Sequence, residues 1–273
     1  MSFATADPRP SRVGLSRDLS LVGWQIRYEQ RSYWRNRSRG LFTFAFPLIF
    51  LVIFASLDRG GRLSGHGGIP YDDFLVPGIL AYAVITTTFT NLSMTTAILR
   101  DEGILKRMQG TPLPRWAYLA ARIASTCIVA AVMAVVVIVS GVLLWGVDVS
   151  VQSLAGVVAT LLLGTAAFTA LGIGLTQFIP KAENGPVIVN LIVLPISFIS
   201  NIWFPTGALP SAVRQIAAAF PIDALARGLE YGFDPRHTGA GFDWPRLAVL
   251  GIWLVIGAWL MLRFLRRPQG ELV

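Results

Sequence analysis

The stretch Leu99–Ala117, LRDEGILKRMQGTPLPRWA, is a charged, helix-punctuated island between two very apolar segments, and its placement decides the fold. Asp101 and Glu102 stand near the start of a short helix, and Lys106 and Arg107 near its end. That order complements the helix dipole, and Glu102 and Lys106 are spaced i,i+4 in the better orientation. Gly110 is suited to cap this helix, and Thr111 followed by Pro112 reads as the N-cap and first-turn residue of the next. A sharp corner between two helices is therefore expected. An amphipathic corner of this kind suits the grip of a partner protein. A solvated loop between two membrane spans is the alternative, since basic loops are the norm on the inner side.

Working outward, the whole chain of 273 residues is 54% hydrophobic and only 14% charged. Soluble domains carry about a quarter charged residues, so an integral membrane protein is indicated. The net charge of +8 does not point to nucleic acid, because the arginines cluster beside apolar segments, where anionic lipid headgroups are the natural counter-charge. The lone cysteine, Cys127, lies in an apolar run. It excludes a disulfide scaffold and reads as a packing residue. The opening MSFATADPRPSRVGLSRDLS has no apolar core followed by a small-residue cleavage site, so no cleaved signal peptide is expected. Residues 1–14 are expected to form a mobile cytoplasmic tail, as are 268–273.

Residues 15–40 read as an amphipathic interfacial helix. Leu15, Leu19, Val22 and Ile26 recur at helical spacing, Trp24, Tyr28, Tyr33 and Trp34 flank them, and Arg27, Arg31, Arg35, Arg37 and Arg39 supply the polar side. The apolar face would lie at the headgroup boundary with the arginines on phosphates; a soluble core helix is the competing reading. Six apolar segments follow within 41–267, at about 41–57, 74–99, 116–145, 153–179, 186–204 and 246–265. Each approaches the roughly 17 to 25 residues needed to cross about 30 Å of hydrocarbon. The first and fifth are short, and Pro47 and Pro195 are expected to kink them. With both termini inside, 17 of the 23 Lys and Arg residues fall on the cytoplasmic side and 6 outside. The fold class expected is thus an all-α, six-span membrane protein with the Leu99–Ala117 corner in the cytoplasm. The outer segment Pro205–Trp244 is too apolar for a free loop. It reads as two short helices, the first from Pro210 or Ser211 to just before Pro221 and the second over Ile222–Tyr231, dipping into the outer leaflet.

The inventory of chemistry is narrow. Spans two to five hold no ionisable side chain well inside them, Arg122 lying near enough to the inner face to snorkel. Ion-coupled carriers normally need such groups. His66 and His237 fall in outer loops, and no metal-ligating or catalytic constellation is visible. The two lysines precede Arg107 and Ala182, so neither belongs to a GxxxxGK[ST] loop. If ATP powers this protein, a separate ATPase must dock from the cytoplasm. The polar residues within the spans are hydroxyls and amides, including Thr87, Asn91, Thr95, Asn190, Ser197 and Asn201, with Trp203 and Phe204 at the end of the fifth. Interhelical hydrogen bonding explains them, at about 0.6 to 2 kcal/mol each; the alternative is a lining for an amphipathic substrate. Ala166, Ala170 and Gly174 repeat a small residue every four, which permits close helix contact.

These residues resemble the membrane subunits of type-2 ABC exporters, in particular the daunorubicin and multidrug-resistance type of permease. The resemblance covers nearly the whole chain. Between spans two and three it lies in Asp101-Glu102-Gly103, Ile104-Leu105-Lys106-Arg107-Met108 and Thr111-Pro112. Before the last span it lies in Trp203-Phe204-Pro205, Leu209-Pro210 and Phe220-Pro221. The resemblance implies a bacterial inner-membrane permease that pairs with a second permease subunit, identical or related, above two ABC ATPase subunits that bind ATP and Mg. This chain itself would bind no cofactor. Arg100, Asp101, Glu102, Gly103, Leu105, Lys106, Arg107, Met108, Thr111 and Pro112 would couple to the ATPases, together with the interfacial helix bearing Trp24, Arg27, Tyr28, Arg31, Trp34 and Arg35. The cargo implied is an amphipathic or hydrophobic, drug-like or lipid-like compound. Export of a lipid-linked polysaccharide or glycolipid is one alternative, and a non-transporting structural or sensory subunit another.

Overall fold

The computed structural model describes residues 15–57, 62–63, 69–107, 115–147, 150–205, 209–234, 236 and 239–266. The tails at 1–14 and 268–273 lie outside them.

Helix α1 (Leu15–Arg35) and helix α2 (Arg37–Leu57) are separate, with Asn36 between them. The interfacial helix expected to run to residue 40 therefore ends sooner. Asparagine is among the residues favoured at helix starts, and the Gly40 N–H donates to the Asn36 carbonyl at 3.1 Å, beginning the ladder of α2. Beyond α2, Arg62–Leu63 pairs antiparallel with Ile69–Pro70, a two-residue ladder in the Gly-rich segment that leaves the class all-helical.

The second span is one rod: α3 (Tyr71–Ile85), a π-helical turn over Thr86–Thr90, and α4 (Asn91–Asp101). It is the axis of the fold. In its most apolar window 83% is buried, against 17% for the last span. After Glu102–Gly103 comes a single turn, α5 (Ile104–Arg107), then α6 (Arg115–Trp145) and α7 (Leu154–Leu175), which a 3-10 turn extends over Thr176–Phe178. A second 3-10 turn, Ala182–Asn184, leads into α8 (Gly185–Ile199). The segment after α8 holds α9 (Ser211–Ala218) and α10 (Pro221–Phe233), each stopped or started by a proline as the sequence implies, and α11 (Trp244–Arg266) follows.

Among the described residues five helices are long and apolar enough to cross a membrane: Asp73–Asp101, Ala117–Trp145, Leu154–Phe178, Ala182–Ile199 and Trp244–Arg266. The first expected span falls in α2, whose apolar part, Thr43–Ser56, is shorter, although the whole 21-residue helix reaches about 31 Å. The fifth expected span stops at Ile199 rather than 204. Asn201 there takes a left-handed backbone, φ +56°, which asparagine tolerates better than most residues.

The core is built around α3, whose Phe74, Leu75, Ile79 and Leu80 are buried with Leu225, Leu229 and Phe233 of α10. The tightest pairing of long helices is α7 on α11. A Cβ added at Gly174 would lie 2.6 Å from Leu260 Cβ, and one at Gly257 would lie 3.1 Å from Ala170 Cβ. Two of the small residues spaced every four thus serve close packing.

Candidate functional site

At the corner after the second span the observed polarity differs from that expected. Asp101 is the last residue of α4 and Glu102 its C-cap, so the two acids end the second span instead of starting a new helix. An acid at a helix C-terminus is unfavourable by itself. Here Arg100 offsets it. The Arg100 guanidinium is buried and donates to Asp101 Oδ1 from Nε at 2.8 Å and from Nη2 at 2.7 Å. Its Nη1 also donates to the Thr176 carbonyl at 2.9 Å, and its Nη2 to the Pro180 carbonyl at 3.3 Å. Asp101 Oδ2 in turn accepts the Ala182 N–H. The C-terminal end of the second span is therefore clamped to the connection between α7 and α8.

The chain leaves this clamp through Gly103, whose φ of +67° is costly for any residue with a Cβ. The Arg107 N–H then closes the α5 turn on the Gly103 carbonyl at 3.0 Å. Glu102 and Arg107 are exposed beside this turn. The backbones of Leu105 and Lys106 belong to α5; Met108, Gly110, Thr111 and Pro112 lie outside the described residues.

Helix α1 lies against α6. Gln30 Nε2 donates to the Ser125 carbonyl at 2.8 Å and to its Oγ at 3.0 Å, and Arg122 Nη1 is 3.4 Å from Glu29 Oε2. Arg122, expected to snorkel, is paired within the protein. The two faces of α1 are also divided differently from the expectation. Val22 and Ile26 lie on the half-buried face with Glu29, Gln30 and the buried Tyr33, whereas Trp24, Arg27, Tyr28, Arg31, Trp34 and Arg35 are all exposed. Aromatic rings and arginines thus share the outward face, because the α6 hydrogen bonds draw the Gln30 side inward.

The polar and aromatic residues proposed to line a path are dispersed. Thr87 is buried in the π turn, and its Oγ1 has no hydrogen-bond partner among the described residues. Thr95 donates to the Asn91 side chain at 2.9 Å on the C-terminal half of the same rod. Asn190 is exposed on α8. Ser197 Oγ accepts from Trp203 Nε1 at 3.3 Å, and the buried Trp203 ring sits against Tyr82 (4.8 Å), Phe50 (5.0 Å) and Phe54 (5.5 Å). Trp203 is thereby a hub joining α2, α3 and α8. Phe204 stays exposed against Phe54, and Asn201 donates to Glu230 Oε2.

Sequence reasoning passed over two features. One is an apolar crevice of about 210 Å³ between α7, α8, α10 and α11, walled by Phe89, Phe168, Ile192, Phe220, Trp253 and Leu260 among others. The other is the polar row on α10. Asp223 is fully buried and accepts from Arg227 Nε at 2.9 Å. Burial pushes Glu230 up to about 7, opposed by Arg227 and by the Asn201 hydrogen bond and reinforced by Asp234 and Asp223. The i,i+4 spacing of Asp223 and Arg227 was the available signal; a surface helix would carry the same pattern. No group of His, Cys, Asp and Glu among the described residues could hold a metal ion, and His66 and His237 lie outside them.

Comparison with known proteins places this architecture. The ABC-2 type transporter family matches residues 21–233, from α1 through the clamp and the Trp203 hub to the end of α10. The inner membrane transport permease YadH of Escherichia coli strain K12 is 23% identical over 185 residues, which span 68% of this chain and 71% of that permease. The YadH permeases of Escherichia coli O157:H7 and Shigella flexneri align to the same extent. With the family match spanning well over half of a chain built from long apolar helices, this protein belongs to the ABC-2 type transporter family.

Proposed function

We propose that this chain is the permease subunit of an ATP-driven exporter in a bacterial inner membrane, six-spanning with both termini cytoplasmic. It pairs with a second permease and works with separate ABC ATPase subunits that carry ATP and Mg. The observation that carries this reading is the clamp of Arg100 and Asp101 onto Thr176, Pro180 and Ala182. A push on the exposed corner at Glu102–Arg107 would move the inner ends of the second, fourth and fifth spans together. Closure of the ATPases supplies that push. The spans then shift at the permease interface, and cargo moves outward along the groove between subunits. The distribution of Lys and Arg, 17 on one side and 6 on the other, supports the orientation.

An amphipathic, drug-like or lipid-like cargo is favoured by the crevice lined with Phe89, Phe168 and Trp253, whose wall is apolar throughout. Glycans need polar and aromatic grooves. The test is reconstitution of the chain with its co-purifying ATPase in vesicles, with ATP hydrolysis followed as amphiphiles and a lipid-linked glycan are added. Stimulation by amphiphiles is the expected result. Stimulation by the glycan alone would transfer the assignment to glycolipid export, and no co-purifying ATPase or no stimulation would contradict transport.

A further inference from the structure

The corner between α1 and α2 forms an open, surface-facing cavity of about 670 Å³ lined by Tyr28, Arg31, Ser32, Arg35, Asn36 and Arg37. Three guanidiniums face one space, and no carboxylate lines it among the described residues. Glu29, the acid next to Tyr28 on α1, is turned away to Arg122. The corner is also built rather than loose. Trp34 stacks on Phe44 at 5.7 Å and donates from Nε1 to Gln30 Oε1 at 2.9 Å, which holds the end of α1 against α2. Arginines suit a phosphodiester because each presents a planar fork of donors.

What fills the cavity follows from its surroundings. Trp24 and Tyr28 are exposed one helical turn apart on the adjoining face of α1, which is where aromatic rings sit at headgroup depth. On α2, Leu41 and Val52 are exposed and fall within about 60° of Arg37 around the helix, so an apolar track leads from the cavity toward the hydrocarbon. We infer that this corner is a binding site for one anionic phospholipid of the inner leaflet, its phosphate held by Arg31, Arg35 and Arg37 and its acyl chain lying along α2. The inference rests on the reading of α1 as interfacial. The bound lipid anchors the α1–α2 corner at headgroup depth beside the cytoplasmic clamp.

The experiment is native mass spectrometry of the purified, delipidated chain titrated with phosphatidylglycerol and with phosphatidylcholine. Inorganic phosphate and glycerophosphoglycerol serve as free-anion competitors. The expected result is one phosphatidylglycerol per chain, preferred about tenfold or more over phosphatidylcholine. The triple variant Arg31→Gln/Arg35→Gln/Arg37→Gln loses that preference, with affinity falling roughly 100-fold. Arg31→Lys/Arg35→Lys/Arg37→Lys keeps most of it, which shows that the corner still folds, and Arg214→Gln on the exposed α9 leaves it unchanged. Equal binding of the two lipids, or binding retained by the triple Gln variant, overturns the inference. Inorganic phosphate competing as well as glycerophosphoglycerol and the lipid would make this a free-anion site. Loss of ATPase co-purification with undiminished lipid binding would make it a protein dock. Either result also overturns it.

Discussion

Arg100 shows how one side chain can hold several elements together. Its guanidinium joins the end of α4 to two carbonyls of the α7–α8 connection, and its charge is balanced by Asp101. Arg100→Met would leave Asp101 without its ion-pair partner and remove a donor from the Pro180 carbonyl, while the Thr176 carbonyl keeps the Ile179 N–H, so a loss of about 3 kcal/mol is expected in unfolding experiments in detergent. Asp101→Asn, at a more exposed position, should cost about 1 to 2 kcal/mol. A second residue gives a pH signature. Glu230 binds its proton more tightly in the folded chain, at about 7, than at its ordinary 4.5. Its contribution is therefore fully present below about 4.5 and declines as pH rises to about 7, where it levels off. Relative to Glu230→Gln, the native chain should lose ~2 kcal/mol between pH 5 and pH 8, and parallel slopes for the two would contradict the assignment. The sequence put Asp101 near the start of a short helix and the corner at Gly110, Thr111 and Pro112, and it marked Arg100 and Gly103 only through the family resemblance. It could not reveal the clamp, because Thr176, Pro180 and Ala182 present only backbone groups, which every residue owns.

At the scale of elements, the π turn over Thr86–Thr90 interrupts the most buried rod of the molecule and is packed by neighbours that tolerate no bulk. A Cβ at Gly172 would lie 2.8 Å from the Phe89 carbonyl, and Ser93 Oγ donates to the Gly172 carbonyl at 2.9 Å. Gly172→Val should therefore destabilise the chain by about 1 to 3 kcal/mol, read as a lower midpoint of thermal unfolding, while Gly251→Ala, with open space around it, should not. The long spans were legible because apolar runs of this length have no other stable home. The proline-bounded helices α9 and α10 were legible for local reasons as well, since proline is tolerated at a first turn and stops what precedes it. The π turn was not. Thr86, Thr87, Thr88 and Thr90 give no periodic signal, and the wider turn depends on packing against α7. The inward face of α1 was legible at Val22 and Ile26, but what it meets was not: Gln30, a polar residue on that face, donates to Ser125 of α6, and no helical pattern records that partner.

For the whole molecule, the asymmetry of 17 and 6 basic residues predicts an orientation that accessibility can check. In a Cys127→Ser background, Gln215→Cys on the exposed α9 should react with a membrane-impermeant maleimide in intact cells. Asn36→Cys at the α1–α2 corner should react only after permeabilisation; the reverse pattern would invert the topology. Membrane residence was readable from composition, but partners were not, since faces that meet another subunit and faces that meet lipid are both apolar. Exposed Leu191 and Phe198 on α8 illustrate this ambiguity. The central claim is that the corner after the second span carries force from an ATPase into the bundle. It is tested most directly by Glu102→Gln and Gly103→Ala, reconstituted with the co-purified ATPase. Neither substitution meets a side-chain obstacle: Glu102 is exposed, and a Cβ at Gly103 has nothing within 4 Å, so the second costs only about 1 to 2 kcal/mol of left-handed strain. Both variants should insert and retain the ATPase while transport and transport-stimulated ATP hydrolysis fall about tenfold or more, each 1.4 kcal/mol of lost coupling being one factor of ten. Wild-type transport and stimulation in both variants would contradict the account.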